Sequence, residues 1–283
     1  MPEALILGAT GRFGRHAAAA FAMAGWKVRP YDRRRDSLPE AAAGAQVIVN
    51  GWNPPYPDWA AQLPHLTRKL IAAAEASGAT ILQPANVYIY GTGAPQVLRA
   101  DTPHAAANPL GQLRIEMEAQ LRDSGLPVIL LRAGDYIDTE ASGGWLDRVM
   151  LKPGRGVLDY PGRPDIPHAW AFLPDMALAA VALAERRAEL PRFTEVLFPG
   201  YTLTGAELAA GLAAALGRPL RLRRMSWLPL HLARPFWPMA RGLLEMRYLW
   251  NMPHRIDGAG FADLLPGFAP TPLPEALAQA VTA

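Results

Sequence analysis

The chain of 283 residues contains no cysteine. Disulfides, thiolate metal sites and cysteine nucleophiles are excluded, and a reducing compartment, the cytoplasm, is the expected location. Histidine is sparse and scattered. His16, His65, His104, His168, His231 and His254 make no H-E-x-x-H pair, so no metal is expected. No serine occupies a G-x-S-x-G elbow, which argues against an ordinary α/β-hydrolase. Charge is also low: 19% of residues are charged, the net charge is +3, and the one local basic run is Arg33-Arg34-Arg35. A nucleic-acid partner is therefore not expected. Long apolar runs are missing too. Ala4 to Leu7 is too short for a signal peptide and passes straight into glycines. The most apolar stretch, Trp227 to Trp250, is broken by His231, Arg234, Arg241, Glu245, Arg247 and three prolines. It reads as packed helix and loop, with no membrane partner.

What is present is a folded chain, 51% apolar, with strands and helices in alternation. Residues 4–7 read as a strand, Gly14 to Met23 as a helix stopped by Gly25, and Trp26 to Tyr31 as a second strand ending at Asp32. A short small-residue helix ending at Gly44 leads to the strand Gln46 to Asn50. Trp59 to Ala76 carries Leu63, Leu66, Leu70 and Ile71 on one helical face, and Thr80 to Gln83 is the next strand. Further on come a helix over Leu113–Leu121, a strand over Leu126–Leu131, a helix over Pro174–Arg186 and a strand over Glu195–Phe198. Thr204 and Glu207 have the spacing of a capping box. Such alternation predicts an α/β fold with a doubly wound, mainly parallel sheet. Proline and glycine thicken from Lys152 to Pro174, which predicts a loop-rich lobe. The expected division is 1–135 for the nucleotide-binding domain and 136–283 for a smaller, interleaved C-terminal substrate lobe, with the strand near 195–198 returning to the sheet.

Between the first strand and helix stands Gly8-Ala9-Thr10-Gly11-Arg12-Phe13-Gly14, spaced G-x-x-G-x-x-G. Free N–H groups and the positive dipole end of a helix face an anion there, and glycines let backbone approach it. The distances between strand, turn, helix and second strand predict a Rossmann dinucleotide site over Gly8, Thr10, Gly11, Arg12, Phe13 and Gly14. Asp32 suits a ribose 2′-hydroxyl, and Arg33 with Arg12 suits a 2′-phosphate, so NADP is slightly preferred over NAD.

Further segments resemble the extended short-chain dehydrogenases/reductases, the NAD-dependent epimerase/dehydratase group. They are Val47-Ile48-Val49-Asn50-Gly51-Trp52, Asn86-Val87-Tyr88-Ile89-Tyr90-Gly91, Leu131-Arg132-Ala133-Gly134-Asp135-Tyr136 and Phe172-Leu173-Pro174-Asp175-Met176-Ala177. The resemblance spans nearly the whole chain and adds Asn50, Trp52 and Asn86 to the cofactor contacts. It departs in the short path from Asp32 to Gln46, where a strand and helix are trimmed. It also departs in chemistry. The family uses a tyrosine as acid/base, a lysine four residues later that favours the tyrosinate, and a serine or threonine. With Glu116 setting the register, Asn108 stands for the tyrosine, Gln112 for the lysine and Asn86 for the serine. None of these amides titrates.

Asp135, Tyr136 and His168 are the substitutes to test, Asp135 and Tyr136 because they stand at a strand end beside the cofactor crevice. Of Tyr88 and Tyr90, one is expected to face the core. Asn53-Pro54-Pro55-Tyr56-Pro57 reads as a stiff pocket wall. Two readings result: an atypical NAD(P)-dependent oxidoreductase or epimerase on a small carbonyl or sugar-nucleotide, or an inactive NAD(P)-binding sensor of dehydrogenase fold. Apolar surface in the C-terminal lobe hints at a homodimer.

Overall fold

In the computed structural model, which describes residues 1–282, the alternation is realised almost element for element. The chain opens with β1 (Glu3–Leu7), α1 (Arg12–Met23), β2 (Lys27–Tyr31), α2 (Leu38–Ala42), β3 (Val47–Asn50), α3 (Trp59–Ser77) and β4 (Thr80–Ala85). The short β5 (Val97–Leu98) precedes α4 (Pro109–Asp123) and β6 (Val128–Arg132). Six strands form one parallel sheet in the order β11-β6-β4-β3-β1-β2, where β11 is Phe193–Leu197. The order reverses between β1 and β3, and a ligand crevice opens at such a point, beyond the carboxyl ends of the strands. β2 is an edge strand, which is why it tolerates Pro30. Only a turn and the five-residue α2 fill the path back to β3.

Alternate residues of each strand supply the two faces. Ile6, Val49, Leu82 and Leu131 pack towards α1 and α5 (Leu173–Glu185), meeting Phe21 and Met176. Leu5, Ile48 and Ile81 pack with Leu70 and Leu121 on the other side. Both faces are therefore dry, as a parallel sheet requires.

After β6 the chain leaves the sheet for β7 (Asp135–Ile137), β8 (Leu151–Lys152), β9 (Val157–Tyr160) and β10 (His168–Phe172). It returns with α5 and β11, then departs again through β12 (Tyr201–Leu203), α6 (Gly205–Ala215) and β13 (Arg221–Arg224). α7 (Leu228–Ala233), α8 (Pro238–Glu245), β14 (Arg255–Ile256), α9 (Ala259–Leu264) and α10 (Leu273–Val281) complete it. The lobe has its own core, with Tyr160, Trp170, Leu208, Leu212 and Trp250 at its centre. Within Lys152–Pro174 two strands, β9 and β10, alternate with turns and loop, and Pro153, Pro161, Pro164 and Pro167 fall between strands. Thr204 and Glu207 do form a full capping box on α6. α4 starts at Pro109 rather than Leu113, since proline is preorganised for a first helical position. Among the described residues no helix is long and apolar enough to cross a membrane.

Candidate dinucleotide crevice and active site

The glycine turn is held by close backbone approach. Gly8 has φ +69°, and a Cβ on it would stand 2.8 Å from the Gly51 carbonyl oxygen. A Cβ on Gly14 would overlap the Gly8 carbonyl, and one on Gly51 would stand 2.5 Å from that of Leu7. The Gly11 amide donates to the Gly8 oxygen at 2.8 Å. Gly11 then opens α1 with no side-chain cap and no acid in the first turn. The orphan N–H groups there are left for an anion, so these residues fit a pyrophosphate. Phe13 is buried beneath the turn, while Thr10 is exposed on it.

At the carboxyl end of β2, Asp32 accepts from the Arg34 amide at 2.9 Å, in a turn that leaves Arg33 exposed. Arg12 points elsewhere. Its guanidinium lies 5.7 Å from the Tyr136 ring and close to Gly144, so the structure does not bring it to Arg33. Asn50 is buried and turned inwards: its amide donates to Gln83 Oε1 at 2.7 Å and accepts from the Trp52 N–H at 3.3 Å. The Trp52 ring meets Tyr31 edge-on at 5.7 Å, beside the end of β2.

Each of the three amides is engaged by a partner within the protein. Asn86 accepts from the Tyr88 amide at 3.0 Å at the end of β4. Asn108, 22 residues on, gives its amide to Glu245 Oε1 at 2.8 Å. Gln112 is exposed and donates to the Ala106 carbonyl. The residue that set the register does not face the covered side of α4. Glu116 is exposed, whereas Glu118 is buried and grips Arg132 through two hydrogen bonds of 2.7 and 3.1 Å. With Glu118 as the buried acid, the covered face of α4 carries Leu110 and Arg114. Arg114 lies 4.0 Å over the Trp59 ring and donates to Asn53 Oδ1 at 2.5 Å, which ties the proline-rich segment to α4. Spacing alone does not separate the registers, because Gln112–Glu116 and Arg114–Glu118 are both four apart.

Arg132, fully buried at the end of β6, also donates through Nε to Glu195 at 2.7 Å and to the Asn86 carbonyl. Burial opposes its charge, but Glu118 and Glu195 outweigh that and raise its pKa.

Asp135 and His168 do come together. β7 and β10 pair in parallel, and His168 Nε2 stands 2.7 Å from Asp135 Oδ2. The imidazole stacks on Trp250 with centroids 4.4 Å apart and planes at 1°. Behind it is His254, which burial and then proximity to His168 push down to about 3. His254 stays neutral and its Nδ1–H donates to the Met252 carbonyl at 2.8 Å. On the other side Tyr56 and Tyr88 share a hydroxyl hydrogen bond of 2.6 Å. Burial pushes Tyr56 up to about 12 and raises Tyr88 and Tyr136, so these phenols stay protonated at neutral pH. Tyr90 is the member of its pair that faces the core. One carboxylate with an imidazole behind it thus sits among protonated phenols, and its neighbour Tyr136 meets Arg12 of the glycine turn.

This architecture is a Rossmann-like α/β fold. No protein-family model matches the chain, and no curated protein matches it in sequence. Solved structures do match in fold. A nucleoside-diphosphate-sugar epimerase from Staphylococcus aureus superposes with a TM-score of 0.72 at 20% identity, over 98% of this chain and 100% of that one. MoeE5, in complex with UDP-glucose and NAD, gives 0.76 at 16% identity over 99% and 97%. A dTDP-4-dehydrorhamnose reductase from Yersinia enterocolitica gives 0.70 at 16% over 100% and 99%.

Proposed function

We propose that the chain is an atypical oxidoreductase or epimerase that binds a nicotinamide dinucleotide and acts on a small carbonyl or sugar-nucleotide substrate. The observation that carries this reading is the Asp135–His168 pair, 2.7 Å apart beside a glycine turn built for a pyrophosphate. The likeness in fold to nucleotide-sugar enzymes supports the substrate class. When bound, the dinucleotide would accept or supply hydride. The α1 N-terminus would hold its pyrophosphate, and Arg12, beside Tyr136, would flank the site. NADP is preferred over NAD, because one Asp32 oxygen is engaged by the Arg34 amide in a turn that presents Arg33. Asp135 takes the proton from a substrate hydroxyl, or returns it, while the His168 N–H keeps the carboxylate oriented. Tyr56 and Tyr88 share one hydroxyl hydrogen bond, and the O–H of the pair that it leaves free donates to substrate oxygen.

Calorimetric titration with NADP(H) and NAD(H), followed by turnover assays on carbonyl and sugar-nucleotide substrates, tests the reading. Asp135→Asn is expected to lower turnover about 100-fold or more and to leave dinucleotide affinity within about twofold. Binding of neither dinucleotide would sink the proposal. A second reading, a dinucleotide-holding sensor without turnover, is favoured by Asn108 and Gln112, the amides where the resemblance places tyrosine and lysine, each of which is engaged by a protein partner. Tight binding with no turnover on any substrate would select it.

A further inference from the structure

Large apolar side chains that face solvent are few among the described residues, and they concentrate in one place. Of seven, four fall between residues 228 and 237: Leu228, Leu232, Phe236 and Trp237. Leu228 and Leu232 stand four apart and share a face of α7. Phe236, 89% exposed, and Trp237 form the turn into α8, held between Pro235 and Pro238. The result is a helical hairpin whose tip and outer face are apolar.

Its surroundings are cationic. From Leu208 to Leu244 the sequence has no aspartate or glutamate and six arginines, Arg218, Arg221, Arg223, Arg224, Arg234 and Arg241. Next to α7 opens a groove of about 420 Å³, lined by Lys152, Asp159, Arg223, Arg224, Ser226 and Pro229. Asp159 pairs with Lys152 and with Arg223, leaving Arg224 without a carboxylate partner among the described residues. Arg221, Arg234 and Arg241 have none either among those residues.

We propose that the α7–α8 hairpin docks the protein on an anionic phospholipid surface. Leu228, Leu232, Phe236 and Trp237 enter the boundary between headgroups and acyl chains, and the arginines meet lipid phosphates. An apolar face rimmed by unpaired cations has the chemistry of an interfacial anchor, and tryptophan favours that depth. A second copy of the chain fits worse. A two-fold contact would press this cationic rim against itself. A nucleic acid would satisfy the arginines but offers Leu232 and Phe236 no apolar partner. The attachment is superficial, since no helix of the described residues can span a bilayer.

Co-sedimentation of the full chain with vesicles of equimolar phosphatidylglycerol and phosphatidylcholine, against pure phosphatidylcholine, tests this. The expected result is binding to the anionic vesicles, weakened by salt, and little to the neutral ones. Phe236→Ser with Trp237→Ser should weaken it about tenfold or more, and each of Arg234→Gln and Arg241→Gln about fivefold. These side chains are exposed, so thermal melting of each variant should match the parent and confirm folding. Absence of binding to the anionic vesicles would overturn the proposal. So would binding indifferent to the F236S/W237S pair, or tighter, equally indifferent binding to duplex DNA or RNA. A lipid-free dimer that the same pair dissociates would assign the face to self-association instead.

Discussion

At Asp138, burial works against ionisation, yet hydrogen bonds from His16, Ser142 and Arg15 outweigh it and draw the carboxyl from 3.8 down to about 2. A folded-state pKa below the unfolded one means stability that is fully present above about pH 4 and is lost as pH falls towards 2. Asp138→Asn should therefore cost about 1–2 kcal/mol at neutral pH and flatten the acid limb between about pH 4 and 2. Urea unfolding at a series of pH values reads both. Gly14 is limited by space instead, because any Cβ there would overlap the Gly8 carbonyl. Gly14→Ala should cost about 3 kcal/mol or more, measured as a fall in the unfolding midpoint. The glycine turn was legible in the sequence because its constraint is local. The role of Arg114 was not, because which side of α4 is covered depends on Arg132 and Trp59, residues brought there by the fold.

Elements are joined by side chains that reach across the sequence. The N-terminus of α4 is capped by Glu245 from the end of α8, which accepts from the Leu110 amide at 2.6 Å and from Asn108 at 2.8 Å. Gly242 on the same helix lets α8 lie against the Tyr56 ring. The hairpin is therefore built into the wall of the crevice. Glu245→Ala should cost about 1–2 kcal/mol by leaving those donors without their carboxylate, and hydrogen exchange at Leu110 should accelerate. A larger loss is expected at the other end of α4. Glu118→Ala leaves Arg132 buried with one carboxylate fewer, a change of about 3–5 kcal/mol in denaturant unfolding. The periodicity of apolar residues located most helices and strands, and Thr204–Glu207 marked the start of α6. It could not reveal the Glu245 cap, since a partner 135 residues away leaves no local pattern.

On the scale of the whole molecule, neither the sheet nor the lobe is a continuous stretch of chain. β7 to β10 interrupt the sheet after β6, and α5 and β11 return to complete it before the chain leaves again. Residues 1–135 alone would lack α5, whose Leu173, Met176 and Val181 cover one face of the sheet, and would lack the edge strand β11. That fragment should fail to fold. The intact chain should melt in one transition, because β7 and β10 hold Asp135 and His168 together while joining directly to sheet elements. A dinucleotide bound at the proposed crevice would then stabilise everything at once. At a concentration about 100 times its Kd the gain is about 2.7 kcal/mol, which in a chain of this size corresponds to a Tm rise of roughly 4–5 °C. Calorimetry with and without the dinucleotide should show the whole transition moving by that amount. A melt that splits, with one part moving and the other fixed, would show that the lobe unfolds independently of the sheet despite the interleaving.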